Sequence, residues 1–313
     1  MKIIDSILQT AWLQQQPPVL IDIGASGSIH PKWKKIAPYS ICIAFDADDR
    51  EFAVTEKTNK EYKRLVTFNR IVTASETENA TFYLTRSPFC SSLLPPDNAK
   101  LQPWSFSPLF TVEKQIELPA ITLEKALQQA NIQYIDWFKT DTQGTDLRLF
   151  KHIPPAIATG IKAAEFEPGI IDAYKGEDKL FSILQDLPQQ QFWLSAMDVK
   201  GTQRLHEKYV QQFGQFTSAR MIRKSPCWAE LTYLREAQFN NQRDALLLIV
   251  FAILERQWGF ALEVIDKAQQ LFTDGIFEQC KKAMESRLKY EKLKLPLVML
   301  KKQLNKLLAT VNA

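Results

Sequence analysis

A chain of 313 residues, 45% of them hydrophobic and 24% charged, has enough apolar material to bury one large core or two modest ones, so disorder is excluded as the default state. Its net charge of +4 is mild and offers no dense basic surface for nucleic acid. Four cysteines (Cys42, Cys90, Cys227 and Cys280) stand far apart, with no CxxC spacing and no histidine cluster beside them, which argues against both a disulfide framework and a metal site.

The N-terminal stretch MKIIDSILQTAWLQQQ is interrupted by Asp5 and by glutamines where a signal peptide needs an unbroken apolar run, so the expected location is cytoplasmic. The longest apolar run, residues 245 to 254, is too short to cross a bilayer, and no transmembrane segment is expected. A helix over Ile3 to Leu13 stops at Pro17-Pro18. Short apolar strands follow at Val19 to Ile23, Ile41 to Asp46 and Arg64 to Phe68, while Ala80 to Leu84 alternates like an added edge strand. Residues 87 to 108 carry five prolines with several aromatics and no period, which reads as a long loop. It is either a functional lid or binding segment or a decorative insertion, and Trp104, Phe106 and Phe110 either stack on a sugar ring or pin the loop to the core. Thr122 is placed to cap a helix to Ala130. A buried strand follows over Tyr134 to Asp141, then a helix over Asp146 to Lys151, a strand over Ile161 to Glu167 and a helix over Lys179 to Leu187. Two last strands are expected at Phe192 to Met197 and Trp228 to Leu234.

Strands alternating with amphipathic helices predict an α/β fold, doubly wound around a mostly parallel seven-stranded sheet in the Rossmann-like manner. After Arg235 the period becomes helical, through Ala245, Leu248, Ile249, Ala252 and Ile253 and then Ala261, Leu262, Ile265 and Ala268. This predicts two antiparallel helices turning near Gly259, a basic helix broken by Pro296, and an amphipathic turn over Leu297 to Leu308. The division expected is residues 1–235 for the α/β domain and 236–313 for an α-helical C-terminal extension. Between Lys281 and Lys306 nine Lys or Arg face two Glu, a solvated helix face or a surface for a protein or an anionic partner.

The stretch VLIDIGASGSIHPKW carries the most chemistry. A buried strand ends in Asp22 and enters a turn at Gly24, Ala25, Ser26 and Gly27, where missing Cβ atoms let the backbone approach a ligand. Asp46, with Ala47 after it, ends the next strand about 20 residues on, where a carboxylate can accept both ribose hydroxyls of an adenosine-bearing cofactor. The GxGxxG spacing that cradles a pyrophosphate is absent, which disfavours a nicotinamide enzyme.

These elements resemble the FkbM family of methyltransferases. The resemblance rests on Asp22-Ile23-Gly24-Ala25, on Phe45-Asp46-Ala47-Asp48, on Cys90 to Leu94, and on the helix starting at Thr122-Leu123. Its most specific part is Ile135 to Gly144, which is similar to that family's Leu-Lys-x-Asp-x-Gln-Gly signature; Ala164 to Glu167 and Tyr174-Lys175-Gly176 complete it. Asp46 stands where Glu is more usual, and Ser28 where a glycine is expected. The resemblance covers about residues 15 to 235. It implies a class I methyltransferase fold and methyl transfer from S-adenosyl-L-methionine to an oxygen of a glycan or small metabolite, with no nucleic acid involved. In that picture Asp22, Gly24, Ala25, Ser26 and Gly27 lie along the cofactor and Asp46 and Ala47 along its ribose. Asp141 stands near the transferred methyl, and Asp141, Glu165 and Glu167 are the candidate catalytic carboxylates. A noncatalytic binding or scaffold protein that keeps the fold and recruits a partner through its helices is the alternative.

Overall fold

The computed structural model describes residues 2–25, 29–47, 59 and 61–311, with the side chains of 297, 298 and 300–311 excepted. In chain order the elements begin with α1 (Lys2–Leu8), α2 (Ala11–Gln15), β1 (Val19–Ile23), β2 (Ile41–Phe45) and β3 (Arg64–Phe68). They continue with β4 (Ile71–Thr73), β5 (Asn79–Thr85), α3 (Asn98–Leu101), β6 (Val112–Thr122), α4 (Leu123–Ala130) and β7 (Trp137–Thr140). Then come α5 (Asp146–Lys151), α6 (Pro155–Ala158), β8 (Ala163–Phe166), α7 (Leu180–Gln189) and β9 (Phe192–Gln203). Last are α8 (Glu207–Phe213), α9 (Gln215–Met221), β10 (Lys224–Arg235), α10 (Gln242–Leu254), α11 (Trp258–Leu271) and α12 (Ile276–Val311).

Residues 11–238 form an α/β unit around a seven-stranded sheet of order β3-β2-β1-β7-β8-β10-β9, in which only β10 runs against its neighbours. The mostly parallel sheet expected from sequence is therefore present. Every residue of β1, β7 and β8 except Lys139 is buried, and only Asp22, Lys139, Thr140 and Glu165 interrupt their apolar residues. One core face is aromatic: Phe138, Phe150 and Phe166 pack within 6.1 Å of one another, and Phe192 lies 6.0 Å from Phe150. Between β1 and β7 the order reverses, because β1 leads to β2 on one side and β7 to β8 on the other; open α/β sheets bind ligands at the carboxyl edge of such a point.

Several local expectations change. Residues 80–84 belong to β5 of a separate three-stranded sheet, β4-β6-β5, and not to an edge of the main sheet. Its central strand β6 alternates charged and apolar side chains and contains Pro119, a pattern that disguises a strand solvated over most of its length. β9 and β10 pair along their full 12 residues each, longer than their apolar segments predict. The segment from 87 to 110 is not a featureless loop but holds two short 3-10 turns and α3. Thr122 does cap α4, accepting from the Lys125 amide.

The second compact unit contains residues 2–10 together with 239–311. The N-terminal helix α1 thus packs with α10 and α12, burying Ile3, Ile4, Ile7 and Leu8. Residues 245–253 of α10 are buried on every face, which marks it as the central helix. The turn before α11 lies at residues 255–257, where Arg256 takes a left-handed conformation (φ +58°); Gly259 is already helical. Pro296 does not end α12, because a proline deletes one hydrogen bond and the strong helix formers around it carry the helix on. No helix among the described residues is long and apolar enough to cross a membrane. Leu8→Ala is expected to cost about 2 to 5 kcal/mol, since Leu8 is fully buried between helices. A fall in the urea midpoint followed by far-ultraviolet circular dichroism measures it; an unchanged midpoint would show that α1 adds nothing to the helical unit.

Candidate functional site

Gly24 leaves β1 with φ +81°, and a Cβ at this position would lie 2.2 Å from the carbonyl oxygen of Asp141. Only glycine permits both the conformation and the approach. The amides of Gly24 and Ala25 both donate to the Phe45 carbonyl, each at 3.0 Å, and the Asp141 amide donates to the Ile23 carbonyl at 2.9 Å. The carboxyl ends of β2, β1 and β7 are thereby drawn together. Along them opens a cavity of about 480 Å³, lined among others by Gly24, Asp46, Ala47, Asp141, Gln143 and Glu167.

Other acids expected at the site are used differently. Asp22 is fully buried; one oxygen accepts from the His30 amide at 2.9 Å and the other lies 2.9 Å from the Lys139 ammonium, which also donates to the Gly24 carbonyl. Burial opposes the charge on Lys139, yet Asp22 and Asp141 beside it hold the ammonium above its ordinary range. Asp22 therefore braces the glycine turn from beneath and is not part of the cavity wall. Glu165 likewise stands off the wall. Its oxygens accept from the Trp137 indole (2.8 Å) and the Lys32 ammonium (3.0 Å), with His30 Nε2 3.3 Å away. Burial alone would raise its pKa, but the hydrogen bond from His30 and the charge of Lys32 hold it at about 2. Ala25 is buried under the turn. Ser26, Gly27, Ser28 and Asp48 lie outside the described residues.

The remaining two carboxyl groups meet in the cavity. Glu167 is pushed up to about 9 by burial and then by the neighbouring charges of Asp141, Asp146 and Glu230, and it shares a side-chain hydrogen bond with Asp141. Glu167 therefore keeps its proton at neutral pH. Gln143 steadies the pair. Its amide donates to Asp141 Oδ1 at 2.7 Å, its carbonyl oxygen lies 3.1 Å from the Tyr174 hydroxyl, and its backbone carbonyl accepts from Ser92 at 2.8 Å. Gln143 (φ +56°) and Gly144 (φ +113°) are consecutive left-handed residues, a costly conformation that the surrounding contacts enforce. Asp146 ties the turn together from below, accepting from the Thr142 amide and hydroxyl and from the Glu167 amide.

Gln143, Tyr174 and Asp146 were not singled out from sequence. Gln143 and Tyr174 lie inside the recognised motifs, but nothing in the spacing shows that one side chain clamps Asp141 and the other backs it. Phe106 and Phe110 line the cavity, whereas Trp104 packs beneath them, 6.5 Å from Phe106. Among the described residues no three His, Cys, Asp or Glu side chains gather as a metal site. No protein-family profile, curated protein or solved structure matches this chain.

Gly24→Ala is expected to destabilise the α/β unit by about 1 to 3 kcal/mol through its positive φ and the collision with Asp141, visible as a lower denaturation midpoint. Glu167 sets a pH dependence. Between the ordinary Glu range near 4.5 and about 9, the unfolded chain has lost this proton while the native chain keeps it, so stability falls as pH rises. The slope is about 1.4 kcal/mol per pH unit for one proton. Glu167→Gln should remove that slope in urea denaturation at pH 6, 7 and 8; identical pH responses in both chains would show that Glu167 is not the proton holder. Glu165→Ala should cost about 1 to 3 kcal/mol by stranding the buried Trp137 indole N–H.

Proposed function

We propose that the chain is a cytoplasmic S-adenosyl-L-methionine-dependent methyltransferase that methylates a hydroxyl of a glycan or small metabolite. The observation that carries this reading is one continuous cavity at the carboxyl edge of β2, β1 and β7, with Asp46 at one part of its wall and the Asp141–Glu167 pair at another. The motif resemblance to the FkbM family supports it, as does the reversal of strand order at this point in a mostly parallel sheet.

The residues fit the cofactor. Asp46, more than nine-tenths buried at the end of β2, would accept the ribose hydroxyls, and Gly24, which lines the same cavity at the β1 edge, would lie along the methionine part. When bound, S-adenosyl-L-methionine would supply an activated methyl group that bonds to an acceptor oxygen in line as the electron pair of the S–C bond leaves with sulfur. The chain's part is to position the acceptor and receive its proton. Alignment of the acceptor contributes most, since the leaving group is good. As the O–C bond forms, the hydroxyl proton passes to the carboxyl group of Asp141, which lines the cavity beside Glu167. Gln143 fixes Asp141 in place for that transfer. Lys139, Asp22 and Glu165 keep the strand ends together without touching the reactants.

Calorimetry with S-adenosyl-L-methionine tests the cofactor site. Asp46→Ala should weaken binding about tenfold or more, as expected for losing charge-assisted hydrogen bonds. Asp141→Asn should leave cofactor affinity within about threefold but slow labelled methyl transfer by about 100-fold or more. A wild-type chain that binds no cofactor at millimolar concentration would overturn the reading in favour of a noncatalytic binding role.

A further inference from the structure

The cavity extends well past the cofactor edge, and its chemistry changes as it does so. Beyond β7 the wall is supplied by the chain after β8, by the start of β10, by β5 and by the segment from 87 to 110. β10 is antiparallel to β8, so its first half, with Cys227 and Trp228, lies over the carboxyl end of β8. This part of the wall is dominated by Phe82, Phe89, Phe106, Phe110, Tyr174 and Trp228. Phe106 bridges the two sides, stacked nearly parallel to Trp228 (6.2 Å between centroids, 10° between planes) and edge-on to Phe110 at 5.0 Å. Phe89 and Leu109 are exposed apolar side chains at the cavity wall.

Three of the polar side chains in this part of the wall are already engaged. The Ser91 hydroxyl accepts from the Thr85 amide at 3.1 Å. The Tyr174 hydroxyl reaches the Cys90 carbonyl at 2.9 Å and Gln143 at 3.1 Å. Glu177 Oε1 takes the Ala173 amide and the Lys179 ammonium. A sugar entering here would exchange the water on several hydroxyls for aromatic carbon, at about 1 to 3 kcal/mol for each one left unpaired. A flat apolar ring loses nothing and finds faces and edges to pack on.

We propose that this chamber binds the acceptor, and that the acceptor is a small, apolar, ring-bearing molecule whose single hydroxyl sits at the inner end, by Asp141 and Glu167. Binding of the ring rests on the chamber alone; methylation of its hydroxyl rests on the methyltransferase reading above. Within that reading the acceptor is thus a phenol-like small molecule and not a glycan.

Calorimetry on the full chain without cofactor, with 2-naphthol and methyl β-glucoside as probes, tests the proposal. Naphthol should bind with a submillimolar Kd and the glucoside at least tenfold more weakly. Ile171→Trp, which fills the chamber, should weaken naphthol tenfold or more; Phe106→Ala, which removes the bridging ring but no core strand, should weaken it about fivefold and guards against misfolding of the first variant. A glucoside that binds as well as naphthol, no naphthol binding, or naphthol binding untouched in folded variants would each overturn the proposal. A parallel titration with S-adenosyl-L-methionine separates the two readings: naphthol binding without cofactor binding leaves the chamber assigned and removes the methyltransferase.

Discussion

The α/β unit depends on the near-contact of two strand ends. Gly24 and Asp141 meet backbone to backbone with no space for a Cβ, and below them the Lys139 ammonium joins the Asp22 carboxylate to the Gly24 carbonyl. The next connections diverge, one toward β2 and one toward β8, so the same point that is tightest in the sheet is where the surface above it must open. A buried ion pair contributes little net stability once its desolvation is counted, but removing either partner leaves an isolated charge. Its role here is positional: it fixes the height of the glycine turn relative to the end of β7, and with it where the cavity's carboxyl groups stand.

Glu165 and Glu167 show how environment divides like residues. They are two apart in sequence, yet one is held ionised by Lys32 and His30 and the other keeps a proton beside Asp141. The ionised one is consumed in bracing Trp137 and Lys32; the protonated one faces the cavity. Carboxyl groups driven apart in this way mark a site better than carboxyl groups that are merely near each other.

Much of the fold was legible because the parallel strands are buried on both sides. VLIDI, ICIAF and the Trp137-Phe138 start of WFKT announce themselves by apolar residues broken only by Asp22, and the Thr122 cap by its hydroxyl before an amphipathic stretch. β6 was not legible, since its VEKQIEL segment is solvated and hydrophobic periodicity cannot see it. The cavity edge could be read from Gly24, Asp46 and Asp141. The roles of Asp22 and Glu165 could not, because their partners come from elsewhere in the chain: Lys32 is 133 residues from Glu165. The aromatic chamber was hidden for a related reason, as it is assembled from the 87–110 segment, β5 and β10, and aromatics beside prolines carry no period.

The helical unit is formed by segments that lie on either side of the α/β unit in sequence, so the α/β unit is inserted between α1 and α10. During synthesis α1 is made before the α/β unit, while α10 and α12, which pack on its Ile4, Ile7 and Leu8, are made after it. Throughout the synthesis of more than two hundred intervening residues that apolar stripe waits without its docking surface. Vectorial synthesis thus completes the α/β unit before the helical unit can close on α1.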